Sequence, residues 1–218
     1  MKPFQPPGAP ATRVIALACI AVQIIVTLAG PRLAESLTLQ AGLVPARLSG
    51  TVSSVGGSVP APLTLVSSLF LHAGWLHLVL NMVFLLWVGK YCEWLLGRGR
   101  FVALYLAAGV AGGVLQYFVA PQSLAPVIGA SGAIAGIFGA YVVLFAQSRV
   151  AARTVLGVSL SSELLTASWY AATWIGLQLL TGLAFNGGGQ GIAIWAHIGG
   201  FVTGLVFAQP FVRRGPPV

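Results

Sequence analysis

The sequence predicts an all-α membrane protein, a six-transmembrane-helix bundle with its N- and C-termini in the cytoplasm. Three observations carry this expectation. Of 218 residues, 57% are hydrophobic and only 6% charged, whereas a soluble domain carries roughly 25% charged residues. Such a chain cannot cover itself with a polar shell. Apolar stretches long enough to cross a hydrocarbon core recur along it. Its 11 Lys and Arg residues, part of a net charge of +8, gather in short clusters at alternate connections. That pattern marks membrane topology rather than a nucleic-acid surface, and no nucleic-acid partner is expected.

Taken in order, residues 1–13 are a Pro-rich polar cytoplasmic tail, and residues 14–212 form the membrane domain. The first span covers about 14–30. The segment after it carries no convincing small-residue cleavage site, so the stretch reads as a span and not as a signal peptide. Residues 31–62, with Pro31, Pro45, Gly56, Gly57, Pro60 and Pro62, form a connection whose length marks it as functional. Residues 63–96 are too long for one span. The loop therefore returns as far as Gly74, and span two covers 75–95. Span three covers 101–119 and precedes Pro121 and Pro126. Span four covers 131–147, span five 164–183 and span six 192–211, with Gly187, Gly188 and Gly189 turning the last connection. Residues 213–218 are a cytoplasmic tail.

Charge sets the orientation. Lys90, Arg98 and Arg100 lie between spans two and three, Arg149 and Arg153 between four and five, and Arg213 and Arg214 after six. Lys2 and Arg13 put the N-terminus on the same side, and connections 120–130 and 184–191 carry no charge. Arg32 and Arg47 depart from the rule, partly offset by Glu35. The basic side is the cytoplasmic one. The absence of a basic, Ser-rich presequence favours a bacterial inner membrane as the host.

Composition also excludes chemistry. The chain has no Asp, and its only acids are Glu35, Glu93 and Glu163, so paired-carboxylate mechanisms have no raw material. Cys19 and Cys92 lie far apart within or at the end of apolar stretches and read as small hydrophobes. No cofactor or metal is expected. A metal site built from His72, His77 and His197 is disfavoured because His72 and His77, five apart, face differently on a helix.

Polar groups inside spans are costly and therefore functional candidates. They are His72, His77, Asn81, Gln116, Ser131, Gln178 and His197. Gln116 and Gln178 read as interhelical hydrogen-bonding residues. Ser131 precedes Arg149 by 18 residues and His197 precedes Arg213 by 16, which sets them ~27 and ~24 Å above the basic side. His77, 13 residues before Lys90, lies ~20 Å up by the same rise. Three spans thus deliver polar groups to one layer. His197, Gly200 and Gly204 share a helix face, as do Ser131, Ala135 and Gly139, with Gly132 and Gly136 extending the small surface sideways. Packing through these small faces would bring Ser131 and His197 within hydrogen-bond reach. A serine beside a histidine is a nucleophile and its general base. Without a carboxylate they form a dyad. Ser131, following Gly129 and Ala130 at a helix start, also offers free backbone N–H groups. His77 and Asn81, four apart on span two, could complete an oxyanion hole.

These residues resemble the rhomboid family of intramembrane serine proteases. The matching pieces are His77-Leu-Val-Leu-Asn81, Gly129-Ala-Ser131-Gly132 and Ala196-His197-Ile-Gly-Gly200-Phe-Val-Thr-Gly204, in order, across roughly residues 63–207. The resemblance implies a rhomboid-like bundle whose 31–62 loop lies partly in the membrane. It makes Ser131 the nucleophile and His197 the base, with His77, Asn81 and the Ser131 N–H in the Gly129 region as oxyanion hole. It gives His72 a structural role and makes transmembrane segments of membrane proteins the substrates, met within the lipid. Two positions depart from the family pattern. Ala135 stands where many relatives carry an aromatic that stacks on the imidazole, which leaves open what orients His197. No Trp-Arg pair stands near Leu63 and Thr64, so the first loop is anchored differently. The alternatives are a rhomboid-like binding protein without activity, against which Ser131 and His197 are both retained, and a channel or transporter. The latter class relies on intramembrane acids or internal repeats that this chain lacks.

Overall fold

The computed structural model describes residues 8–54, 56–145, 153–155, 158–162, 165–166, 168–172, 174–175 and 193–211. They form a bundle of helices. Among the described residues, Pro10–Ala29 (α1), Trp75–Leu96 (α5), Arg98–Val119 (α6) and Ile194–Phe211 (α8) are long and apolar enough to cross a membrane, and Ser131–Phe145 (α7) is a shorter apolar helix. A short antiparallel hairpin, β1 (Arg153–Val155) with β2 (Val158–Leu160), comes after α7. Much of the 164–183 stretch, including Gln178, lies outside the described residues.

The long first connection is more ordered than its prolines suggest. Pro31 begins α2 (Pro31–Ala41) and Pro45 begins α3 (Pro45–Leu48). Proline suits that first helical position because its missing N–H has no intrahelical acceptor there in any case. Residues 61–70 coil again, as two 3-10 turns flanking α4 (Thr64–Ser67). This stretch lies on a glycine face of α6. A Cβ on Gly109 would meet the Leu69 side chain, and one on Gly113 would meet Leu65 and Leu43. Gly97 alone separates α5 from α6, at φ 79, and its N–H closes α5 on the Glu93 carbonyl at 2.8 Å.

Small residues decide which helices meet. A Cβ on Gly200 would fall on the Gly132 carbonyl oxygen and one on Gly204 on that of Gly136, while one on Gly112 would fall on that of Ala196. The α8 backbone is therefore wedged against α7 on one side and α6 on the other. The contact advances four residues on α7 for four on α8, so these two helices run parallel. Gly132 and Gly136 make the closest approach. Gly139, grouped with Ser131 by its offset, joins the seam, where a Cβ would fall on the Phe201 carbonyl oxygen, and Ala135 is buried at 1% exposure in the cluster with Phe201.

A carboxylate holds α1. The first turn of α1 has no acidic residue and no side-chain cap of its own. Glu93, 4% exposed near the end of α5, supplies the cap. Its Oε1 accepts the Ala11 N–H at 2.9 Å, and its Oε2 accepts the Thr12 N–H at 2.8 Å and the Thr12 hydroxyl at 2.7 Å. These amides have no intrahelical acceptor, and a negative charge is favourable at a helix N-terminus. Gly89, one turn before Glu93, makes room: a Cβ there would lie 2.8 Å from the Thr12 methyl. Since the start of α1 meets the end of α5, those helices run antiparallel.

Glu93→Ala strands three donors in a buried site. It is expected to lower stability by about 2–4 kcal/mol, and Thr12→Ala, which removes one hydroxyl, by about 1 kcal/mol. Thermal unfolding or steric trapping in detergent measures both, and equal stability of Glu93→Ala and wild type would refute the capping role.

Candidate active site

The parallel contact of α7 and α8 aligns their starts. Ser131 is the first residue of α7, and His197 lies in the first turn of α8. Across the glycine seam the Ser131 Oγ and His197 Nε2 stand 2.7 Å apart. With the imidazole neutral and its proton on Nδ1, the hydroxyl donates and Nε2 accepts. The first intrahelical hydrogen bond of α7 runs from the Ile134 N–H to the Ala130 carbonyl at 2.9 Å. The Ser131 and Gly132 amides thus belong to the set of N–H groups that a helix start leaves without helical acceptors.

His77 reaches the same place from α5. Its Nδ1 accepts the Ala73 N–H at 3.3 Å, which assigns the ring proton of the neutral imidazole to Nε2 and makes that atom a donor. The ring lies against Gly129. A Cβ built there would sit 2.8 and 2.9 Å from His77 Cε1 and Nε2, and 3.6 Å from Ser131 Oγ. Gly129 also has φ 123, in a region that L side chains rarely adopt. Only glycine leaves His77 Nε2 and Ser131 Oγ a common space.

Asn81, one turn beyond His77 and 7% exposed, donates from Nδ2 to the His77 carbonyl at 2.8 Å. An amide NH2 has two hydrogens, so one remains to point outward. Asn81, Ser131 and His197 line a cavity of about 170 Å³ with Ile134, Ala135 and Trp174. Trp174 comes from the partly described 165–175 segment and packs on Phe138 and Phe201 at ring distances of 5.2 and 5.9 Å. A hydroxyl at a helix start, an imidazole within its reach and the Asn81 amide of a neighbouring helix thus line one small cavity, with His77 beside Gly129.

The other candidates from the sequence fall into supporting places. His72 is buried just ahead of α5 with its ring edge-on to His77 at 5.1 Å, and so supports that ring. Gly132, Gly136, Gly200 and Gly204 form the seam. Gln116, expected to hydrogen-bond between helices, keeps its buried Oε1 without a partner among the described residues. Sequence reasoning misses Ala73, whose N–H sets the His77 tautomer, since a backbone contact leaves no side-chain signal. It also misses Ser68, whose carbonyl accepts the Gly129 N–H at 2.9 Å.

Comparison with known proteins identifies the family. The Rhomboid domain family matches residues 61–214. The chain is 36% identical over 156 residues to the putative rhomboid protease YdcA of Bacillus subtilis, covering 69% of each chain. It is 30% identical over 144 residues to the rhomboid protease GluP of the same organism, covering 66% of this chain but 25% of that protein. To rhomboid protein 1, mitochondrial, of Saccharomyces cerevisiae it is 27% identical over 155 residues, covering 68% of this chain and 42% of that protein. The chain thus spans a quarter to two-thirds of the length of these relatives. The family match takes in α5 to α8 and every residue gathered around Ser131, and the chain belongs to the rhomboid family.

Proposed function

We propose that this protein is an intramembrane serine endopeptidase that cuts membrane proteins in or near their transmembrane segments by a Ser131–His197 dyad. The observation that carries the reading is the 2.7 Å contact between Ser131 Oγ and His197 Nε2 at the start of two packed helices. The relatives bearing the name rhomboid protease support it at the level of the family.

In this reading, Ser131 Oγ attacks the scissile carbonyl carbon while His197 Nε2 takes the hydroxyl proton. The carbonyl oxygen becomes an oxyanion, received by the His77 Nε2–H, the free Asn81 amide hydrogen and the Ser131 N–H. The C–N bond then breaks as His197 returns the proton to the leaving amine. Water hydrolyses the acyl-enzyme by the same steps in reverse, through the cavity that Asn81 and His197 line.

The topology we propose has six spans within residues 14–212, tails at 1–13 and 213–218, and both termini in the cytoplasm. Its support is directional. Parallel α7 and α8 require the chain between them to cross once more, which is the role given to 164–183. The antiparallel pairing of α1 and α5 puts the start of α1 at the Lys90 to Arg100 end. The host we propose, a bacterial inner (cell) membrane, rests on the sequence reading, since the relatives include bacterial and mitochondrial proteins alike.

Ser131→Ala and His197→Ala are each expected to abolish cleavage of a single-span substrate in folded protein. Because the two residues act as one unit, the double variant loses no more than either single one. A serine-directed phosphonate should label the wild type and not Ser131→Ala, and proteolysis surviving in Ser131→Ala would refute the mechanism. Asn81→Ala should lower kcat by ~10²-fold with little change in KM; an unchanged kcat would leave Asn81 only its bond to the His77 carbonyl. An intact helix hides its peptide carbonyls in i to i−4 hydrogen bonds, so substrates should carry Gly, Pro or polar residues near the extracytoplasmic end of their span. Replacing such a Gly with Leu stabilises the substrate helix by about 1 kcal/mol and should slow cutting, and equal cutting of both forms would place recognition outside the membrane.

A further inference from the structure

The first loop has an organising centre of its own. Arg47 is half-buried and donates from Nη1 to the Leu39 and Gln40 carbonyls at 2.9 and 3.2 Å, and from Nη2 to the Val59 carbonyl at 2.7 Å and Ser54 Oγ at 3.4 Å. One planar side chain therefore gathers the end of α2 and the far limb of the loop. The Val59 N–H joins the same closure by donating to the Gln40 carbonyl at 3.1 Å. A guanidinium can serve such divergent carbonyls at once because its donors are fixed in a plane, whereas a lysine ammonium is a compact point charge.

The clasped loop is also stitched to the segment that leads into α7. Leu43 and Val127 exchange both backbone hydrogen bonds, Leu43 N to Val127 O at 3.1 Å and Val127 N to Leu43 O at 2.7 Å. The Ala46 N–H donates to the Ser123 carbonyl at 3.0 Å, and Ser49 Oγ donates to the Pro121 carbonyl at 3.1 Å. Leu43 is 1% and Ala46 0% exposed, so the stitched strand is packed and dry. Val127 lies two residues before Gly129 and four before Ser131. The path thus runs from the closure that Arg47 makes at residues 39, 40, 54 and 59, along the backbone to Leu43 and Ala46, and across to Val127 and Ser123, just ahead of the glycine that leaves His77 and Ser131 their common space.

We propose that Arg47 is a positioning residue for Ser131: its clasp holds the first loop in register with residues 121–127 and thereby sets the backbone at Gly129. The proposal rests on the protease reading for its kinetic consequence but not for its structural one. It also explains why Arg47 stands in a loop on the side where basic residues are scarce. Its charge serves four oxygen acceptors instead of marking topology.

The test compares wild type, Arg47→Lys and Arg47→Ala as full-length protein in proteoliposomes. It reads phosphonate labelling of Ser131, kcat and KM on a single-span substrate, and hydrogen exchange at the Leu43 and Val127 amides. Displacements near 1 Å at a reacting group cost up to about 10²-fold in rate. Arg47→Ala should therefore label about tenfold or more slowly and lose kcat by a like factor, with KM held within about twofold. Its Val127 amide should exchange about tenfold faster while the helices stay protected. Arg47→Lys should fall between. Wild-type labelling, kcat and exchange in Arg47→Ala would overturn the proposal, as would a change confined to KM. Should Arg47→Ala not fold, wild-type kinetics and exchange in folded Arg47→Lys would overturn it equally. Wild-type protein that neither labels nor cuts would refute the protease reading, and the exchange measurement would still decide whether Arg47 clasps the loop.

Discussion

The backbone-to-backbone contact of α7 and α8 is the constraint on which the site depends. In lipid there is no hydrophobic gain from bringing two apolar helices together, so van der Waals contact and hydrogen bonding must hold them. Glycine maximises the first by letting main chains touch. Gly200 rests on the Gly132 carbonyl and Gly204 on that of Gly136, with Gly112 admitting Ala196 from the other side. The two seam contacts advance in step, which fixes axial register as well as distance. A hydroxyl and an imidazole at matched heights on these helices are then within reach of each other without any group to pull them together.

The polar residues that the bundle keeps outside this site are spent on its backbone. Glu93 satisfies two amides and a hydroxyl at the start of α1, and Arg47 satisfies three carbonyls and a hydroxyl in the first loop. They do so toward opposite ends of the molecule. Backbone groups that fall outside regular helix are tolerated near a hydrocarbon core only when protein supplies their partners. Each charge thus meets a local need, and between them lies α5, which carries His77 and Asn81 near one end and Glu93 near the other.

Much of this was legible in the chain. The depth of Ser131, His77 and His197 comes from counting residues to basic anchors, and the small-residue faces come from helical spacing. So do the seam glycines Gly132, Gly136, Gly200 and Gly204, though not which of them touch. Offsets from Ser131 name Gly139, which does meet α8 at the Phe201 carbonyl, but the seam also takes in Gly132 and Gly136, which the same spacing sets to one side. A glycine-rich helix is small on every side, so its pattern does not name the partner face. The α6 glycines at 109, 112 and 113 were silent for the same reason. Pro31 and Pro45 read as loop punctuation, yet each is the first residue of a helix; the N-terminal preference of proline was the signal that could have found α2 and α3. Arg47 reads as an exception to a charge rule and Glu93 only as one of three acids, because most of their partners are main-chain atoms that every residue has. Gln116 keeps its buried Oε1 without a partner among the described residues.

The cap on α1 has a consequence for the order of assembly. Glu93 lies 81 residues after Thr12, so on a growing chain the first helix emerges long before the residue that completes its start. During that interval water has to solvate the Ala11 and Thr12 amides, and the helix cannot sink past them. The arrival of α5 replaces water with a carboxylate. The first helix is therefore finished by the next long apolar helix, after the loop between them has already been made, and insertion and folding at that end of the molecule become one event.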